Sequence, residues 1–207
     1  MRSWHFIRHG ESTANQEGWL AGQQNVQLTA AGRAQTSALA MLMAGQGGMK
    51  IAQLWSSDLS RAIETAETLR RYPGALHLPE GVVLQQSEAL RERDAGDWTH
   101  LLRDKLPRTE IDKMRAWDFA PPNGESMAMM AARVVPLLAQ IESDLNALQS
   151  EESDVLIVSH GGLMRVMIGL LDQMGVERIG SLGYGNCEVI TRDAERDVWA
   201  MLAKEFA

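Results

Sequence analysis

Apolar residues fall in short blocks separated by polar, glycine-bearing turns, and the spacing inside each block predicts its element. Met1 to Ile7 reads as a strand with large apolar side chains (Trp4, Phe6, Ile7) that stops at Arg8-His9-Gly10. Glu11 to Gln27 is a glycine-punctuated loop. Thr29 is a candidate N-cap for an alanine-rich helix running to Ala44, closed by Gly45-Gln46-Gly47-Gly48. Ile51 to Trp55 predicts a second strand, Ser56-Ser57-Asp58 the cap of a helix to about Tyr72, and Val82 to Leu84 a third strand. Residues 93–124 are charged, hold Pro107, Pro121 and Pro122, and show weak helical periodicity, which predicts an inserted cap. From Glu125 to Leu148, apolar residues at Met127, Met130, Val134, Leu137, Ile141, Leu145 and Leu148 recur at steps of three or four. That is one long helix, expected to bend or break at Pro136.

Asp154 to Val158 is an apolar run of the kind that fits a parallel strand buried on both faces. Ser159-His160-Gly161-Gly162 then leads into another helix. Cys187 to Ile190 and Val198 to Leu202 read as two last strands, paired as a hairpin. The alternation predicts an α/β fold: a three-layer sandwich with a mainly parallel central sheet flanked by helices, plus a short cap, as one domain over residues 1–207.

Composition narrows the function classes. With 45% hydrophobic and 23% charged residues the chain is an ordinary globular protein. A net charge of −7 argues against nucleic acid or an anionic membrane surface as partner. A phosphorylated small molecule remains compatible, since a local cationic pocket can focus field inside an acidic protein. Cys187 stands alone, so no internal disulfide is expected. Arg8 and His9 interrupt the N-terminus before a signal-peptide core develops, and no apolar run is long enough to span a bilayer, so a cytoplasmic location is expected.

In parallel sheets, sites collect beyond the carboxyl ends of the strands. Arg8-His9-Gly10, Ser57-Asp58 leading to Arg61, and Ser159-His160-Gly161-Gly162 all fall at such ends, and Glu92 follows the third strand closely. Two histidines, two arginines and a carboxylate would share one mouth. Arg61 is expected in the first turn of its helix, where the positive end of the dipole disfavours a cation unless an anion binds nearby; Arg165 is expected in a similar place. A structural salt bridge explains Arg61 alone equally well. His5, His77 and His100 read as structural or surface residues. No H-x-x-x-H or cysteine–histidine spacing supports a metal site, and adjacent arginines would repel a cation. G-x-S-x-G, Walker A and dinucleotide glycine motifs are absent.

Taken in order, these segments resemble the histidine phosphatase superfamily, in its phosphoglycerate mutase-like branch, over nearly the whole chain. Arg8-His9-Gly10-Glu11-Ser12 with Asn15 resembles its R-H-G-E-[ST] segment, and Asn25 to Gly32 its D-x-x-L-T-x-x-G. Ser56-Ser57-Asp58-Leu59-Ser60-Arg61-Ala62 matches S-S-D-L-x-R-A. Leu90-Arg91-Glu92 with Gly96-Asp97-Trp98 is similar to L-x-E…G-x-W-E-G, and Gly124-Glu125-Ser126, Ser159 to Gly162 and Asn186-Cys187 complete the series. The resemblance implies that His9 becomes phosphorylated, that Arg8, Arg61, Asn15 and His160 hold the phosphoryl oxygens, and that Glu92 is the general acid. It also places Ala21, Gly22 and Gly161 at the substrate. No cofactor and no metal is implied, and the partner is a small phosphorylated substrate.

The phosphohistidine is common to phosphatases and mutases. In the mutases a Tyr follows the acid glutamate by three residues and an adjacent arginine pair lies in a longer insertion. Here Ala95 holds the first position, and Met114-Arg115-Ala116-Trp117 contains no pair. Residues 93–118 carry six basic and six acidic side chains, which does not predict a strongly cationic lid. The reading is therefore a phosphatase, with a mutase as alternative and a non-catalytic binder of phosphorylated ligands behind both. Trp98-Thr99-His100 departs from W-E-G and brings His100 into question as a pocket residue; Gln23-Gln24-Asn25 departs as well. Specificity is expected in Trp19 to Gly22 and the cap.

Overall fold

The structure is a computed structural model and describes residues 2–147 and 154–206. Its frame is a five-stranded sheet of β1 (Arg2–Arg8), β3 (Gln53–Ser57), β5 (Leu84–Ser87), β6 (Val155–Ser159) and β7 (Val189–Ala194), in the order β5-β3-β6-β1-β7. All neighbours are parallel except β7, which runs antiparallel along β1 at one edge. Two short strands, β2 (Met49–Lys50) and β4 (Leu76–His77), form a separate parallel pair. The register pairs Arg8 with Ser159 and Val158 with Ser56, so three polar strand ends stand level at one edge of the sheet.

β6 explains the layering. Its residues are buried throughout: Val155 and Ile157 join one core, Leu156 and Val158 the other, as a period-two strand with both faces covered requires. On one face pack α2 (Ala30–Gly45) and α3 (Ser60–Arg71) through Ala40, Met43, Ala62, Ala66 and Leu69. On the other pack α5 (Met127–Ala147) and α6 (Gly161–Leu171) through Val134, Leu138, Ile141, Leu163 and Met167. Burying each such large aliphatic side chain is worth about 1.5–3 kcal/mol.

Most predicted elements are present with shifted ends. Thr29 caps α2, its hydroxyl accepting from the Gly32 amide. The second strand is Gln53–Ser57, and the third is Leu84–Ser87, with Val83 outside it and exposed. The helix starts later than the Ser56-Ser57-Asp58 cap predicts, at an N-cap Leu59 with no side-chain cap bond, and Asp58 pairs with Arg91 instead. The predicted loop after Glu11 contains a short helix, α1 (Thr13–Glu17), closed by a Ser12–Asn15 capping box. Pro136 does not interrupt α5. It lies on the exposed side, where the Ala132 carbonyl that loses its helical donor meets water. Leu148 lies outside the described residues.

The tail is a correction. β7 is there, but Val198–Ala203 is a helix, α8, not the second arm of a hairpin. Trp199, Leu202 and Ala203 sit at helical spacing against the α5 side of the core, and Trp199 meets Trp4 edge-on at 5.7 Å. Local apolar content could not distinguish a short strand from a short helix; the docking face decided it. Between Leu90 and α5, the cap segment holds single turns and one short helix, α4 (Arg108–Lys113); another short helix, α7 (Val176–Ile179), follows α6. The cap is tied to the α1 loop by backbone bonds from Leu20 to Leu101, His100 to Leu20 and Arg103 to Gly18. Among the described residues no helix is long and apolar enough to cross a membrane.

Candidate active site

Arg8 ends β1, and His9 and Gly10 follow it into a turn packed against the start of α2. A Cβ on Gly10 would stand 2.6 Å from the Gly32 carbonyl oxygen, and one on Gly32 2.0 Å from that of Glu11, so two glycines let the loop and helix touch. The Gly10 amide donates to Thr65 Oγ1 (3.1 Å), which donates to the Arg61 carbonyl (2.8 Å), anchoring the turn to α3.

His9 is 4% exposed. Its Nδ1 lies 2.7 Å from the Gly10 carbonyl and its Nε2 3.2 Å from Arg61 Nε. A carbonyl only accepts and a guanidinium only donates, so Nδ1 carries the proton and Nε2 is unprotonated, its lone pair accepting from Arg61. Burial and then Arg61 push the His9 pKa well below its usual value, the Gly10 carbonyl pulls it part of the way back, and Arg8 adds a smaller push down. The ring is neutral.

Arg61, 2% exposed, also donates to the Gln24 carbonyl (2.8 Å) and the Gly22 carbonyl (3.1 Å). Burial pulls its pKa down to about 10, with Glu92 opposing and Arg8 adding to the fall, so it stays a cation at neutral pH. It stands in the first turn of α3 as expected, whereas Arg165 is the fifth residue of α6, a turn deeper than predicted. Arg8 donates through Nη1 to the Tyr184 carbonyl at 2.6 Å.

His160, the residue before α6, is fully buried with its ring centroid 5.0 Å from that of His9. Neither ring nitrogen has a partner. Burial, then Arg61, His9, Arg133 and Arg8, push its pKa well below the usual value. Two neutral imidazoles thus sit among cations.

Glu92 Oε1 accepts from the Arg93 amide (2.8 Å) and Oε2 from the Gly162 amide (3.0 Å). A Cβ at position 162 would fall 2.2 Å from Oε1, so the second glycine of the His160-Gly161-Gly162 turn makes room for this carboxylate. Arg133 holds the segment from α5 by donating to the carbonyls of Ala89 (2.6 Å) and Arg91 (2.8 Å) while paired with Glu125.

These groups open into one cavity of about 1040 Å³. Arg8, His9, Asn15, Ala21, Gly22, Arg61, Glu92 and Gly161 all line it; His160 is packed on His9 but is not part of the wall. Asn15 Oδ1 accepts from Ser12 and Asn186. His100 does not reach the cavity: it stacks on Trp19 with ring centroids 5.0 Å apart, and Trp19 does line it.

Several functional neighbours carried little signal in the sequence. Asn186 Nδ2 donates to the His9 carbonyl at 2.8 Å, a role its motif position hinted at. Arg93, Arg103, Arg115 and Arg165 bring the cavity to six arginines against Glu17, Glu92 and Asp104. The cap is neutral by count, yet folding sorts its charges: Glu110 and Asp112 pair with Lys113 and Arg108 outside the cavity, while three of the cap's arginines face in. Among the described residues no three His, Cys, Asp or Glu side chains are grouped as a metal site.

An unprotonated imidazole nitrogen beside fixed cations, at the carboxyl edge of a parallel sheet, makes an α/β protein with a cationic pocket that suits an anionic group. Comparison with known proteins places it further. The profile of the histidine phosphatase superfamily (branch 1) matches residues 4–205, and the chain belongs to that superfamily. It is 30% identical over 184 residues to glucosyl-3-phosphoglycerate phosphatase of Mycobacterium tuberculosis, covering 86% of this chain and 78% of that protein. It is 32% identical over 183 residues to a 2,3-bisphosphoglycerate-dependent phosphoglycerate mutase of Bartonella quintana, covering 84% and 82%. The solved mycobacterial glucosyl-3-phosphoglycerate phosphatase in complex with VO3 superposes with a TM-score of 0.81 at 27% identity, covering 96% of this chain and 94% of the other.

Proposed function

We propose that this protein is a metal-independent phosphomonoesterase that hydrolyses a small phosphorylated metabolite through a phosphohistidine on His9. The observation that carries the reading is the unprotonated Nε2 of a neutral His9, accepting from Arg61 Nε at 3.2 Å in an arginine-lined cavity. Nε2 attacks phosphorus, the N–P bond forms and the P–O bond to the leaving group breaks. Arg8, Arg61 and Asn15 take the phosphoryl oxygens, and the neutral ring of His160, packed behind His9, has one N–H to offer them. Each Glu92 oxygen keeps a second lone pair beyond its backbone bond, where a carboxyl proton can sit. Glu92 gives that proton to the departing alkoxide, then takes one from the water that attacks phosphorus; the N–P bond breaks and inorganic phosphate leaves. A structural relative is a phosphatase complexed with VO3, a phosphoryl-like oxyanion, which is in keeping with this reading.

Mutase-type transfer is the second reading, favoured by the similarity to phosphoglycerate mutases. Hydrolysis of p-nitrophenyl phosphate in EDTA, wild type beside His9→Ala, tests the first. Activity that survives the chelator and vanishes in the variant supports it. An inactive wild type whose His9 is labelled by 2,3-bisphosphoglycerate would favour the mutase, and one that accepts no label would leave a binder.

A further inference from the structure

Trp19 and His100 meet at the joint between the α1 loop and the cap, and neither has a use in the chemistry above. Every residue from Glu17 to Gly22 lines the cavity, Trp19 among them, whereas His100 does not. Their rings lie 5.0 Å apart with planes tilted by 33°. His100 therefore covers the indole from outside the cavity wall and leaves it a side toward the interior. The indole is fixed in two further ways. Its Nε1–H donates to Glu17 Oε2 at 2.8 Å, and the Trp19 backbone bridges Leu102 across the joint. Beside that bridge, the Leu20 amide donates to the Leu101 carbonyl (3.0 Å) and the His100 amide to the Leu20 carbonyl (2.9 Å), which holds loop and cap in register.

The backbone at His100 is strained. Its φ is +69°, in the left-handed region that glycine adopts freely and a residue with a Cβ rarely does. In the W-E-G pattern from which Trp98-Thr99-His100 departs, glycine holds this position. This chain keeps a side chain there instead. Among the described residues the imidazole makes no hydrogen bond and no ion pair, and its ring contact is Trp19. Backbone strain that serves one contact points to a function for that contact.

We infer that Trp19 is a stacking platform for the leaving group, with His100 as the residue that positions it, and that the substrate is a phosphomonoester whose alcohol carries a ring, a sugar or an aromatic, in place of an open chain. The inference rests on the proposed phosphatase reading, which puts the phosphate at His9 and leaves the alcohol to the rest of the cavity. At about 1040 Å³ that cavity exceeds a bare phosphate many times over. Leu20, next in the chain, and Leu102, across the bridge, line it too, so the indole sits in an apolar stretch of wall. An indole face accepts the C–H face of a sugar ring or the plane of an aromatic one, and a platform fixed beforehand gives up little freedom on binding.

The test compares ring-bearing with open-chain phosphates. Affinities of glucose 6-phosphate, benzyl phosphate and n-hexyl phosphate are measured by calorimetry on the His9→Ala chain. Their KM and kcat values are measured in parallel on the chain with His9 intact. At least one ring ligand should bind more tightly than hexyl phosphate, and which one does tells sugar from aromatic. Trp19→Ala should cut that preference about fivefold, the size of one aromatic pair, through KM and not kcat, and Trp19→Phe should keep most of it. His100→Gly should weaken the ring ligands about twofold or more by loosening the indole. The same variant should leave the melting temperature level or raise it, because glycine relaxes the φ of +69°. Hexyl phosphate binding as tightly as both ring ligands, or a preference that survives Trp19→Ala, would overturn the platform. A His100→Gly chain that melts lower and keeps its ring affinity would make His100 structural only. Ring preference in a chain without turnover would sink the phosphatase and leave the platform standing.

Discussion

Arg61 Nε donates to His9 Nε2 across 3.2 Å, and the same guanidinium is pinned by the carbonyls of Gly22 and Gln24. One residue therefore holds the reactive nitrogen deprotonated and fixes the loop that forms part of the cavity wall. A bound phosphoryl group would have to take over the Nε–H bond, leaving Arg61 where the charge of the transition state develops.

Replacing Arg61 by Ala should lower kcat for p-nitrophenyl phosphate by about 100-fold or more, the size of effect seen when one preorganised donor is removed. Arg61→Lys should not restore it, since an ammonium cannot serve His9 and two carbonyls in a planar fork. Recovery to within threefold by lysine would show that charge alone is needed.

His9→Ala is expected to abolish turnover and covalent labelling by phosphate donors. Activity near wild type in that variant would refute the assignment of the nucleophile.

Glu92→Gln should hurt alkyl phosphates far more than aryl phosphates, whose leaving groups depart without a proton. Gly162→Ala should share this signature, because its Cβ would enter the space of Glu92 Oε1 at 2.2 Å and displace the carboxyl while leaving the backbone in place. Equal losses on both substrate types, in steady-state kinetics of the two variants, would remove Glu92 from the acid role.

Gly32→Ala meets backbone instead of a movable side chain, 2.0 Å from the Glu11 carbonyl oxygen. Denaturant unfolding should show a loss of about 1–3 kcal/mol, as for other forced overpacking. An unchanged midpoint would mean the α2–loop contact is looser than described.

Stability should fall on mild acidification. His5, His9 and His160 all have folded-state pKa values below the ordinary 6.5, each chiefly through burial. Above about pH 6.5 neither state binds these protons, so stability is level. As pH drops below that, the unfolded chain takes up protons that the folded chain refuses, and the melting temperature declines. A melting temperature that is flat or rises between pH 7 and pH 5.5 would contradict this.

Much of the frame was legible because it is written locally. The apolar run Val155-Leu156-Ile157-Val158 can be satisfied only by cover on both faces, and the i, i+3, i+4 pattern through Met127, Met130 and Val134 has one helical solution. The polar residues that follow the strands, Arg8-His9, Ser57 to Arg61 and Ser159-His160, likewise announced a site, since chemistry collects where parallel strands stop. The stretch Val198–Ala203 failed because a six-residue apolar segment has no periodicity of its own, and only Trp4 and α5 chose its helix.

The sequence by itself determined the layers, the position of the site at the carboxyl edge and the identity of His9, Arg8, Arg61 and Glu92 as its candidates. Tertiary structure alone decided which nitrogen of His9 is unprotonated, because that depends on a carbonyl one residue away and an arginine 52 positions distant. It also decided that a cap neutral by count turns Arg93, Arg103 and Arg115 inward and pairs Glu110 and Asp112 outside. Periodicity encodes which side of an element is buried; the direction of a charge is set by what packs opposite it.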